Sequence, residues 1–152
     1  VLGTETSVFL LRGGFEAWAE NSFPVISAGD PTDPIDQAKV SYISPQDAYA
    51  LITSDPRVVT LDVRSTSLYE ADYISSSVHL PLETLESQQT SLSRGDRIVV
   101  YGETALESFQ AAVRLFDLGF FQVLAVDGGY ANVIAFAPEE SESTPNATTD
   151  EE

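Results

Sequence analysis

Arg97-Ile98-Val99-Val100-Tyr101-Gly102-Glu103-Thr104-Ala105-Leu106-Glu107 joins the strongest strand signal in the chain to its strongest helix. The β-branched and aromatic run from Ile98 to Tyr101 reads as a fully buried strand. Gly102 breaks it. Beyond the turn, Phe109, Ala112, Val113 and Phe116 recur at helical spacing, and Gly119 ends the helix. A buried strand that turns directly into an amphipathic helix is the repeating unit of a parallel sheet.

The same alternation extends in both directions. Val40 to Ile43 reads as a short strand. Ser44-Pro45-Gln46-Asp47 then opens a helix, with Ser44 as N-cap, proline at the first helical position and an acid in the first turn. Ala48, Leu51 and Ile52 follow at helical spacing. Val58 to Val63 reads as a buried strand, Ser65 to Ala71 as a short helix, and Ser77 to Leu82 as a strand ended by Pro81. Val123 to Val126 is the last strand, followed by Asp127-Gly128-Gly129 and a short helix. Asp127 reads as a turn residue. Of the neighbours Phe120 and Phe121, one is expected to face outward. The predicted class is α/β, a parallel sheet with helices on both faces.

The chain has 152 residues, enough for one domain with some extra chain, and 43% hydrophobic residues, enough for a core. It has no Cys, which excludes disulfides, thiolate metal sites and every cysteine nucleophile. A single His excludes a His-rich metal site. No apolar run approaches the ~20 residues of a membrane helix, so no membrane insertion is predicted. Seven cations face 24 acids, for a net charge of −17, which disfavours nucleic acid as a partner. Lys39 is the only lysine. The acidic, lysine-poor composition points to an extracytoplasmic setting or, alternatively, to the cytoplasm of a halophile. The absence of Met, with Val1 first, points to an excised N-terminus.

Four regions are expected. Residues 137–152 hold six acids, no cation and two prolines, and read as a disordered acidic tail in which Asn146-Ala147-Thr148 matches a glycosylation pattern by chance. Ala28-Gly29-Asp30-Pro31-Thr32-Asp33-Pro34 reads as part of a linker over 28–37. The linker separates a head, 1–27, from a body, 38–136. The head carries an internal repeat. Val8-Phe9-Leu10-Leu11-Arg12-Gly13-Gly14-Phe15-Glu16-Ala17-Trp18 matches Val123 to Val133 at a constant offset of 115 residues: strand, Gly-Gly turn, aromatic, helix. It reads as the terminal strand and helix of a preceding repeat. Phe9, Leu11, Phe15 and Trp18 would be an aggregation hazard if left uncovered, so they are candidate docking residues, on this body or on a neighbouring chain.

Taken in order, these segments resemble the rhodanese family. Ile43-Ser44-Pro45-Gln46-Asp47-Ala48 resembles its opening strand and cap, and Leu61-Asp62-Val63-Arg64 with Tyr69 its Asp-Val-Arg motif. Ile74 with Leu80-Pro81-Leu82 resembles the next strand, Ile98 to Tyr101 the strand that enters the active-site loop, and Val123 to Gly129 the closing strand and Gly-Gly turn. The resemblance implies three layers with a central, mostly parallel, five-stranded sheet. It also implies that a Cys should follow the fourth strand and open a six-residue loop ending in Arg, whose N–H groups cradle an anion. The matching loop here is Gly102, Glu103, Thr104, Ala105, Leu106 and Glu107. Gly102 stands at the nucleophile position and Glu107 at the cation position, while the family's Gly-His-Ile segment is Asp72-Tyr73-Ile74. Carboxylates beside an anion cradle oppose thiosulfate or phosphate.

The expectation is therefore a chain that is not an enzyme, has no catalytic residue, cofactor or metal, and uses its fold for binding or as a scaffold. Thr104 has no base, because His79 lies in another strand and reads as structural. Asp62 and Arg64, with Gly128 and Gly129, read as structural motifs that tie down loops. Glu103, Glu107 and Asp72 have the chemistry of a weak Ca²⁺ site, against the ordinary reading of a solvated acidic patch. Three functions are weighed: a non-catalytic rhodanese-like binding module of a tandem-repeat protein; an extracytoplasmic subunit that self-assembles through residues 1–27; and, last, an active sulfurtransferase. A protein partner or self-association follows from the first two.

Overall fold

The computed structural model describes residues 26–137. The head's Phe9, Leu11, Phe15 and Trp18, its repeat of the closing motif, and the tail from Pro138 onward lie outside the described residues.

Among the described residues twelve short elements follow one another. They are α1 (Pro34–Gln37), β1 (Ser41–Ile43), α2 (Pro45–Ser54), β2 (Val58–Asp62), α3 (Thr66–Ala71), β3 (Val78–His79), α4 (Leu85–Gln88), a 3₁₀ turn (Gln89–Ser91), β4 (Arg97–Tyr101), α5 (Ala105–Asp117), β5 (Val123–Val126) and α6 (Tyr130–Ile134). The strands form one sheet in the order β1-β5-β4-β2-β3, and every pair is parallel. β4 lies at the centre, and Ile98, Val99, Val100 and Tyr101 are each fully buried.

The period-two alternation along β4 divides the interior in two. Ile98 and Val100 face α5 and pack with Leu61, Ala111, Leu115 and Phe120. Val99 and Tyr101 face α2 and α6 and pack with Ala48, Val126, Tyr130 and Val133. This is the expected three-layer sandwich. Phe120 is 2% exposed while Phe121 is 71% exposed, so the adjacent aromatics do face opposite ways. The helix ends are the ones read from sequence. Ser44 caps α2 by accepting from the Asp47 N–H. After α5, the N–H groups of Gly119 and Phe120 bond back to the carbonyls of Phe116 and Leu115, the paired bonds of a Schellman cap.

Two expectations change. The strand expected over 77–82 is only Val78–His79. Leu80 and Leu82 still donate to the carbonyls of Asp62 and Val63, but Pro81 between them has no N–H, so the ladder cannot continue. The segment 28–37, read as a loose linker, is instead fastened to the body. Asp36 is 3% exposed. Its carboxylate accepts from the Ser27 hydroxyl at 2.6 Å, the Asp30 N–H at 2.9 Å and the Lys39 ammonium at 3.0 Å. Lys39 also reaches Asp117 at the end of α5, at 2.9 Å, and Asp117 accepts from the Ser27 N–H. The composition of turn residues was read correctly, but the single Lys bridging two acids was not.

This cluster sets a testable pH dependence. Burial opposes ionisation of Asp36, but its hydrogen bonds outweigh burial and hold its pKa below the ordinary 3.8. Burial likewise opposes the charge on Lys39, and the two aspartates outweigh it and raise its pKa above 10.5. The Asp36 contribution is therefore present above the ordinary carboxylate value and is lost as pH falls through the depressed one. The Lys39 contribution is present below 10.5 and is lost as pH rises through the raised value. Lys39→Met should cost about 1–3 kcal/mol in chemical denaturation at neutral pH, because it strands two acids. A change within error would show that the cluster does not fasten the segment.

Candidate functional site

The C-terminal edge of a parallel sheet is where loops converge, and the β4–α5 turn lies there. Gly102 is buried between three elements. Its N–H donates to the Ser108 hydroxyl at 3.1 Å, and its carbonyl accepts from the Tyr130 N–H at 2.9 Å. The Ser108 oxygen also lies 3.1 Å from the carbonyls of both Thr104 and Gly128. One fully buried hydroxyl thus ties the start of α5 to the loop before it and to the β5–α6 turn. Ser108 was missed from the sequence, where a serine inside a helix carries no distinguishing signal.

Glu107 does not point away from the loop. Its Oε2 accepts from the Glu103 N–H at 2.6 Å. In return Thr104 caps α5, its hydroxyl accepting from the Glu107 N–H at 3.3 Å. This is a variant of the capping box, in which the glutamate reaches the N–H one residue before the cap. Thr104-Ala105-Leu106-Glu107 carried that signal in the sequence. A carboxylate here is also favoured by the positive end of α5. The expected repulsive charge is therefore an internal anion held on the loop's own backbone.

Gly102 and Gly129 are required by close approach. A Cβ at Gly102 would overlap the Glu107 Cβ and lie 2.7 Å from its Oε2. A Cβ at Gly129 would collide with the Glu103 carbonyl oxygen. The Gly-Gly turn fits beneath the loop for that reason. Gly128 supplies the carbonyl near Ser108, and the Gly129 N–H donates to the Asn132 side chain at 3.0 Å.

Asp62 and Arg64 form the expected internal pair. The guanidinium bonds both carboxylate oxygens, at 2.7 Å and 3.1 Å, and donates to the Asp72 carbonyl at 2.7 Å. Both residues are buried. The guanidinium carbon lies 3.6 Å from the centre of the Tyr130 ring, while Glu103 stays 4.0 Å away. Burial pushes the hydroxyls of Tyr101 and Tyr130 well above the usual tyrosine range, so both are protonated at neutral pH and neither serves as a base. His79 lies against the Arg64 carbonyl at 2.9 Å and stacks on Tyr69, which stacks on Tyr73. These contacts fix the ring in place. Asp127 is an exposed turn residue whose N–H donates to the Ile43 carbonyl. Among the described residues, no three His, Cys, Asp or Glu side chains gather to hold a metal, so Glu103, Glu107 and Asp72 do not assemble a calcium site.

Comparison with known proteins agrees with this geometry. The family model for the rhodanese-like domain matches residues 44–135. A thiosulfate sulfurtransferase, GlpE, of Coxiella burnetii is 27% identical over 81 residues, which are 53% of this chain and 76% of the relative. The solution structure of a rhodanese-like domain from Anabaena sp superposes with a TM-score of 0.59 at 27% identity, covering 73% of this chain and 88% of that one. A rhodanese-related protein from Thermoplasma volcanium, at 23% identity, shares the fold with a TM-score of 0.55 over 64% of this chain and 93% of its own.

The overlap at Gly102 has a measurable consequence. Gly102→Ala should destabilise the chain by about 1–3 kcal/mol through overpacking. In a double-mutant cycle with Glu107→Gly, which removes the opposing side chain, the coupling should be about 1 kcal/mol or more. Additive losses would show that the two positions do not press on each other.

Proposed function

The chain belongs to the rhodanese-like domain family, and from that footing we propose that it is a non-catalytic member whose fold serves binding or scaffolding. The observation that carries this reading is the occupied loop, with Gly102 where the family's thiol stands and the Glu107 carboxylate bonded to the Glu103 N–H.

Sulfur transfer of the kind named for the Coxiella relative needs an atom to carry the sulfur and a cradle to receive an anion. Gly102 offers no carrier. Thr104 has the only hydroxyl within the six-residue loop, and that oxygen caps α5 with no base beside it. The nearest cation among the described residues, Arg64, is buried, bonded to Asp62 and the Asp72 carbonyl and 4.0 Å from the Glu103 carboxylate, so its charge is already matched by acids. The repeat of Val123 to Val133 within residues 8–18 supports a place in a tandem array.

The deciding measurement is thiosulfate:cyanide transfer by the purified chain, with an active family member as control. The chain should give no rate above background. Gly102→Cys should stay at background too, because the new side chain meets Glu107 and the N–H it needs is taken. Turnover by the unaltered chain would end the non-catalytic reading.

A further inference from the structure

Beside the occupied loop, on the α5 face of the sheet, lies a groove of about 640 Å³ lined by Pro31, Tyr42, Ala105, Leu106, Phe109 and Asp127. Phe109 forms a buried part of its wall, while Tyr42 and Leu106 are 54% and 47% exposed. Two large side chains left half in water in the lining of one groove belong to neither core cluster. Among the described residues the lining holds one charge, the Asp127 carboxylate, and no cation. Further acids stand close in the chain: Asp30 precedes Pro31, and Glu103 is two residues before Ala105. The nearest cation in sequence to Tyr42 is Lys39, which is held by Asp36 and Asp117.

We infer that this groove docks a segment of a partner protein that carries a large apolar side chain next to Arg or Lys. The apolar side chain lies between Tyr42 and Leu106 over Phe109, and the cation pairs with Asp127. Charge selects this occupant over a second copy and over residues 138–152, and the test below separates it from residues 1–25, where Leu11 stands beside Arg12. A second copy of a chain with net charge −17 is repelled, and residues 138–152 bring six more acids and no cation. The inference rests on the reading of the chain as a binding module. It has a separate fate, because turnover of thiosulfate would remove that reading without touching the groove, and a failed selection here would leave the empty thiol position as it is.

The test is selection of a random linear peptide library, displayed on phage, against the immobilised full chain. The enriched peptides should share a large apolar residue within one or two positions of Arg or Lys. A synthetic representative should bind less well as salt rises. Leu106→Glu, at a half-exposed position, should weaken it by about tenfold or more. Asp127→Asn should weaken it about threefold and flatten the salt dependence. The chain has no cysteine, so Leu106→Cys creates a unique thiol. A maleimide should label it readily in the chain alone and slowly with the peptide bound. Four results would each overturn the inference: no enrichment, enrichment of acidic or uncharged peptides, binding indifferent to Leu106→Glu, or a thiol at 106 already protected in the free chain. The last would mean that residues 1–25 or a second copy cover the groove.

Discussion

A single hydrogen bond, from the Glu103 N–H to the Glu107 carboxylate, organises the C-terminal edge of this sheet. Every helix start leaves N–H groups without partners, and the protein must satisfy them with a side chain, water or a ligand. In an anion-binding loop they are kept for the ligand. Here a carboxylate four residues along the same chain takes one of them. Its position forces a glycine at 102, because the glutamate stem fills the space a Cβ would need. The glycine lets the strand run directly into the turn, and the Gly102 carbonyl then receives the Tyr130 N–H, which seats α6. Glycine at 102 and the acid at 107 are thus coupled by packing.

The fold was legible because its signals are local. The run from Ile98 to Tyr101 is too apolar for anything but a central strand, and the turns carry their own residue chemistry: Ser44 and Pro45 at the start of α2, Gly119 after α5, Gly128 and Gly129 before α6. Both faces of β4 are covered, so its residues form a continuous apolar run. β3 was the harder case. Its pairing with β2 spans two residues, and the sequence around it looks longer only because Leu80 and Leu82 keep bonding past the proline.

The site was legible in its substitutions and less so in its consequences. Gly102 and Glu107 are visible as departures from a family pattern. That the acid folds back onto the backbone depends on helix geometry, although Thr104 and Glu107 at capping-box spacing held the clue. Ser108 left no trace, since its role comes from three backbone groups that converge only in space. The fastening of 27–39 failed to show for the same reason: Lys39 and Asp117 are 78 residues apart, and turn composition describes the chain's path without saying what holds it.

Charge explains why a sheet edge built like an anion site reads as something else. Among the described residues Arg64 is the cation nearest the loop, and it is engaged by Asp62 and the Asp72 carbonyl, with Tyr130 against its face. Its Nε and Nη2 are bonded in this way and its Nη1 lies 4.0 Å from the Glu103 carboxylate, so the guanidinium steadies two loops and its charge is matched by acids on both sides. The exposed Glu103 and Asp127 then set the sign there, alongside exposed apolar surface from Tyr42 and Leu106. An edge that is negative and apolar no longer suits a small anion. The proposed binding role draws on that surface, with a chain segment that brings its own cation and buries its own side chain.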